Sequence, residues 1–118
     1  MNESPIFAKT YDLLLWLLPQ ANKFPRAYRF SLAERVQGRA LDFQETLIAA
    51  GKVKGDARAA CLRDADTQLT QLRQTVRLCH DLQLLSLGQY EHCAGLLNEI
   101  GRLLGGWQKT MQVKAPNG

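Results

Sequence analysis

The chain has 118 residues, 46% of them hydrophobic, which is room for one domain that buries a core without disulfides or structural metal. Lysine plus arginine outnumber aspartate plus glutamate by 15 to 11, a net charge of +4 that favours acidic partners over cationic ones. Three cysteines with no CxxC pair make a poor disulfide framework and point to the cytoplasm, and the longest apolar run, Leu13 to Leu18, is too short to span a membrane. Isoleucine and valine are scarce, and no proline interrupts the chain between Arg26 and Lys114, so the expectation is all-α.

The first helix is expected to begin at Ser4-Pro5, a cap residue followed by the residue best suited to the first helical position, and to run to about Gln20. Phe7, Tyr11, Leu14 and Leu18 form its inward stripe. Leu13, Trp16 and Leu17 fall off that stripe, which leaves a helix apolar over most of its circumference, and its outer side is expected to meet another subunit. Pro19 either kinks the last turn or ends it. The second helix starts near Pro25 and ends at Gly51, with Tyr28, Leu32, Val36, Ala40, Phe43 and Leu47 at helical spacing and Gly51 as a left-handed cap.

A short loop, Gly51 to Gly55, makes the second and third helices antiparallel neighbours, and Asp56 is placed to cap the third. There Leu62, Ala65, Leu69, Leu72, Val76 and Cys79 step by three and four without a break. Ser86 and Gln89 stand in capping-box spacing at the start of the fourth helix, with Leu85 and Tyr90 as a hydrophobic staple. Cys93, Leu97, Ile100, Leu104, Trp107 and Met111 continue its stripe. The reading is one up-down-up-down antiparallel four-helix bundle over residues 1–113, a rod rather than a globule, followed by a polar tail at 114–118.

Few residues can carry catalysis. His80 and His92 are the side chains that titrate near neutrality, and Cys79-His80 with His92-Cys93 flank the turn near Ser86 almost symmetrically. Adjacent helical residues point about 100 degrees apart, so these pairs read as buried thiols rather than a zinc site. No Glu-x-x-His motif of the di-metal bundles occurs, and neither metal nor cofactor is expected. Gly101 and Gly105-Gly106 cost helix stability, and they are read as a small-residue stripe that lets another helix approach closely.

The basic residues carry the sharper expectation. Arg73 and Arg77 share one face of the third helix, with Arg63 near that helix's start. Lys23, Arg26 and Arg29 crowd the junction before the second helix together with Phe24 and Tyr28, and Arg35 and Arg39 continue along it. Arginine's flat donor fork suits phosphate.

The stretch Tyr11 to Leu18, then Lys23-Phe24-Pro25-Arg26, then Leu72-Arg73 with Val76-Arg77, and finally Glu99-Ile100-Gly101-Arg102-Leu103-Leu104-Gly105-Gly106-Trp107 resemble the accessory variability determinant (Avd) family of diversity-generating retroelements over nearly the whole chain. The last run is the most specific. The resemblance implies a homopentameric barrel of four-helix bundles that binds the element's reverse transcriptase and its template RNA or cDNA, supporting mutagenic copying without catalysis of its own. Arg73 and Arg77 match paired arginines of that family, and Arg26 and Arg102 match too. The surface expected to hold phosphates therefore comprises Lys23, Arg26, Arg29, Arg63, Arg73 and Arg77, and the surface expected to join copies comprises Leu13, Trp16, Leu17, Gly101 and Gly105. The four-helix ribosomal-RNA intervening-sequence proteins carry similar signatures and give the second reading, a bundle that binds ribosomal RNA or another macromolecule.

Overall fold

A computed structural model describes residues 4–114, with side chains described for residues 4–111. Four helices follow one another in alternating direction: α1 (Pro5–Asn22), α2 (Glu34–Lys52), α3 (Gly55–Asp81) and α4 (Leu87–Lys114). Each packs on its chain neighbours, and α4 closes the square against α1. The bundle is a rod with principal extents of 52 × 28 × 24 Å. Lys114 ends α4, and the rest of the expected polar tail lies outside the described residues.

In α1, Pro5 occupies the first turn as expected, but the inward stripe is displaced from the expected one. Ile6, Thr10, Leu13, Leu14, Leu17 and Ala21 are buried, and Leu13 and Leu17 are 0% exposed. These two leucines therefore belong to the protomer's own core and offer no surface to another copy. Tyr11, expected inside, is 57% exposed. A run as uniformly apolar as Leu13 to Leu18 gives neighbouring stripe phases similar burial, so hydropathy alone does not choose between them. The phase adopted is the one that seats Leu13 and Leu17 in the core, and contacts with α4 accompany it: Lys9 pairs with Glu99 at 3.4 Å and Trp16 tilts against His92 with ring centroids 4.9 Å apart. Pro19 does not end the helix, which continues to Asn22. From α2, Gln37 Nε2 donates to the Leu18 carbonyl at 3.1 Å and to Asn22 Oδ1 at 2.8 Å, tying that last turn down.

The approach to α2 is irregular. A 3-10 turn, Arg26–Tyr28, runs into a π turn, Arg29–Ala33, before regular α-helix begins at Glu34. The inward positions step from half-buried Tyr28 to buried Ala33, a spacing of five that suits a π turn, and Leu32 is only partly covered. Beyond it Val36, Ala40, Phe43, Leu47 and Ala50 fill the core.

Gly51 is not a left-handed cap. The helix runs through it to Lys52, leaving Val53 and Lys54 as the connection, and the positive φ of +59° falls on Gly55 instead. The carbonyls that a glycine cap would have satisfied are taken by a side chain: Arg58 Nε donates to Ala50 O at 3.0 Å and to Val53 O at 2.9 Å. With Arg58 holding the end of α2, Asp56 is not the cap of α3; it lies in the first turn, where its charge suits the helix dipole. Phe7 and Trp107 meet edge to face at 5.9 Å beside it, and Arg58 lies 5.8 Å from the indole centroid, closing that end of the rod.

The stripes of α3 and α4 are those the spacing predicts, Leu62 through Cys79 and Cys93 through Leu104, with Trp107 and Met111 half-buried. Between them Gln83 takes φ 64°, and the Leu84 N–H bonds to Cys79 O while the Gln83 N–H bonds to His80 O, a Schellman ending without glycine. The capping box forms in both directions, Gln89 N–H to Ser86 Oγ at 3.1 Å and Ser86 N–H to Gln89 Oε1 at 2.9 Å.

Among the described residues Thr10 is the one polar residue sealed in this core, 1% exposed, and its hydroxyl makes no hydrogen bond. An unsatisfied buried hydroxyl costs about 1–3 kcal/mol, whereas valine keeps the shape. Thr10→Val is expected to raise stability by about 1 kcal/mol in urea unfolding.

Candidate functional site

The junction between α1 and α2 turns Phe24 and Tyr28 in and its cations out. Phe24 is buried and Tyr28 half-buried, and backbone bonds from Phe24 N–H to Ala21 O and from Tyr28 N–H to Pro25 O hold the segment compactly. Lys23, Arg26 and Arg29 are exposed around these anchors. No acidic residue occurs between Asp12 and Glu34. Among the described residues two ion pairs form, Lys9 with Glu99 and Arg77 with Asp81, so the junction cations are uncompensated. Phosphate oxygens are the acceptors such a group takes, through charge rather than shape.

The arginines of α3 are divided. Arg63 is exposed and unpaired among the described residues. Arg77 is exposed and weakly paired, 3.8 Å from Asp81. Arg73, expected to stay free in water, instead lies half-buried across α4: Nη1 donates to Asn98 Oδ1 at 2.8 Å and Nη2 to Leu97 O at 3.1 Å. Gly101 is what permits this, because a side chain there would run into the Arg73 guanidinium. Close approach across Gly101 is thus an arginine of the same chain, whereas Gly105 has open space above it. Arg102 is exposed on the rim of the same α3–α4 groove.

The cysteine and histidine pairs near the α3–α4 turn do not converge. Cys79 and Cys93 are buried, and burial pushes their thiols up to about 11 and about 12, Cys93 further through the nearness of Cys79. Unreactive, protonated thiols are the result. His80 stacks on Tyr90 with centroids 4.6 Å apart and its Nδ1 lies 3.2 Å from Leu85 O, while His92 lies on Trp16. Among the described residues, no group of three or more His, Cys, Asp or Glu is placed to hold a metal ion.

The surplus apolar surface of α1 exists, but on residues other than those the expected stripe leaves outside. Tyr11 and Leu15, 57% and 60% exposed, lie on its outer side with half-buried Leu18. The contacts of Gln37 with Leu18 and of Phe7 with Gly51 set the antiparallel register, which brings Leu41 and Ile48 of α2, also exposed, beside this row. Trp16 is half-buried against α4 and is only the edge of this surface. Phe30 is likewise off the expected stripe; its signal in the sequence is an aromatic residue set in an arginine-rich run.

A closed helical core built by four antiparallel helices defines the class, a four-helix-bundle protein, with unpaired cations gathered at one end of the described residues. No helix among the described residues is long and apolar enough to cross a membrane. No curated protein matches the chain. The bAvd-like family model matches residues 6–111, and the chain belongs to that family. Membership assigns it a non-catalytic accessory role of the Avd type, associated with the reverse transcriptase of a retroelement.

The bonding of Arg73 has a direct consequence for stability. Arg73→Ala removes two charge-assisted hydrogen bonds between α3 and α4 and is expected to cost about 1–3 kcal/mol. Arg77→Ala removes one exposed pair and is expected to change stability by less than about 0.5 kcal/mol, the contrast being read from thermal unfolding of both variants.

Proposed function

We propose that this chain is an accessory subunit that binds a retroelement reverse transcriptase and its template RNA or cDNA through the cationic α1–α2 junction, supporting mutagenic reverse transcription. The single observation that carries the reading is the uncompensated group Lys23, Arg26 and Arg29, presented outward by the buried Phe24 and half-buried Tyr28. Arg63 and Arg77 add charge along α3, and Arg73 contributes what its tether to α4 leaves unused. Binding through phosphates positions a strand without reading its bases.

Assembly into a homopentameric barrel fits two unlike faces of the protomer. The α1–α2 side carries the apolar row Tyr11, Leu15, Leu18, Leu41 and Ile48, edged by Trp16. On the other side of the square, α4 presents Gly95, Gly105 and Gly106 with nothing above them, a surface into which larger side chains can settle. Unlike faces make head-to-tail contacts, and such contacts close into a ring when the rotation from copy to copy divides the full turn. A ring also gathers five junctions at one end, so charges that are modest singly act together on one strand.

Two measurements test this reading. In a salt titration of binding to single-stranded RNA, Lys23→Ala, Arg26→Ala and Arg29→Ala together are expected to weaken binding and to flatten the slope by about 0.7 for each phosphate the variant no longer neutralises. An unchanged slope removes the junction from the mechanism. Light scattering is expected to give five protomer masses for the wild type and a smaller assembly for Leu15→Lys; a monomeric wild type contradicts the ring.

A further inference from the structure

Phe30 is the most exposed large hydrophobic side chain among the described residues, at 80%. It stands in the π turn Arg29–Ala33, a rare geometry that adds a residue to a helix and is frequent at functional sites. The ring is not among the core residues, which on this segment and the first turn of α2 are Phe24, Ala33 and Val36. Nothing in the fold of the protomer requires an aromatic residue at this position.

Its surroundings are cationic. Arg26 and Arg29 precede it and Arg35 follows, all exposed and none within 4.0 Å of a carboxylate among the described residues. A groove of about 510 Å³ runs beside the ring along α2, lined by Phe30, Arg35, Gly38 and Arg39 with the carboxylates of Glu34 and Asp42. Arg39 Nε is buried there without a hydrogen-bond partner, a donor in want of an acceptor. The groove itself is nearly charge-balanced, so the excess positive charge lies on the Arg26 and Arg29 side of the ring.

We infer that Phe30 is a stacking platform for an unpaired base of single-stranded nucleic acid, with Arg26 and Arg29 holding the flanking phosphates. An exposed aromatic face among arginines is the combination that binds single strands without sequence preference, because every base offers a π face and every nucleotide a phosphate. A duplex, whose bases are already stacked, gains nothing from the ring. A second copy of this chain is a poorer occupant: it carries the same cationic segment, and in a ring those segments stand at the same end. The inference rests on the nucleic-acid reading above and names the strand type that site takes.

The test compares wild type with Phe30→Leu, Phe30→Trp and the triple variant of Lys23, Arg26 and Arg29. The probes are a fluorescent 20-nucleotide uridine RNA, the same RNA with abasic positions, and a blunt RNA duplex. Phe30→Leu is expected to weaken binding of the intact strand roughly 5- to 150-fold, with an unchanged salt slope and little effect on the abasic strand or the duplex. Phe30→Trp is expected to bind as wild type and to show indole quenching on binding. Equal binding of intact strand by Phe30→Leu and wild type overturns the stacking inference, and so does an equal loss on all three probes. A smaller assembly of Phe30→Leu by light scattering overturns it too, assigning the ring to contact between copies. If wild type binds none of the probes, the nucleic-acid reading itself fails, whereas stacking alone fails if wild type binds and the triple variant flattens the slope but Phe30→Leu is silent.

Discussion

Everything outside the bundle is decided by what the core takes. Four apolar stripes must share one interior, and once Leu13, Leu17, Phe43, Leu72 and Ile100 occupy its centre, the direction of every other side chain on those helices follows. In α1 the phase that seats Leu13 and Leu17 sends Tyr11 and Leu15 outward. In α3 it sets Arg73 against α4 and leaves Arg77 in water. The ends are closed by different means: Arg58, Phe7 and Trp107 at one, and His80, Tyr90, Trp16 and His92 at the other.

The chain from α1 to α2 escapes that logic. Two buried or half-buried aromatics pin it down, yet its 3-10 and π turns depart from the regular helix on either side. A simple helical continuation from Pro25 would have kept Leu32 on the core stripe; the extra residue of the π turn puts Ala33 there instead. The cost of a poorer hydrogen-bond geometry is thus coupled to the exposure of an arginine-rich edge, and the two belong to one local device. That coupling separates this segment from the other basic residues. Arg58 and Arg73 are arginines too, but each directs its donors at carbonyls of a neighbouring helix and serves the fold.

How far such distinctions can be read from residue order depends on the element. The stripe of α3 is legible because polar residues flank most of its apolar positions, so a shift of one residue would bury charge, and that of α4 because its three-four stepping continues unbroken from Cys93 to Met111. The capping box at Ser86 and Gln89 is legible for a similar reason, being a local pattern with a local bond. The phase of α1 is not, since a run of leucines supports neighbouring phases nearly equally. Residue order does not separate Gly51 from Gly55 as the left-handed glycine, because two glycines four residues apart are equivalent until Arg58, from the next helix, satisfies the carbonyls of α2. The role of Arg73 depends on Gly101 standing opposite, which only the register of α3 against α4 determines. Spacing places the cations of the junction in one cluster, but which of them remain unpaired is a property of three-dimensional packing.

The direct measurement is to cross-link RNA to the assembled protein with ultraviolet light and map the adducts by peptide mass spectrometry. Adducts concentrated between Lys23 and Arg35 are expected if the irregular α1–α2 segment is where a strand lies. Adducts confined to α3 and α4, with none on that segment, would contradict it.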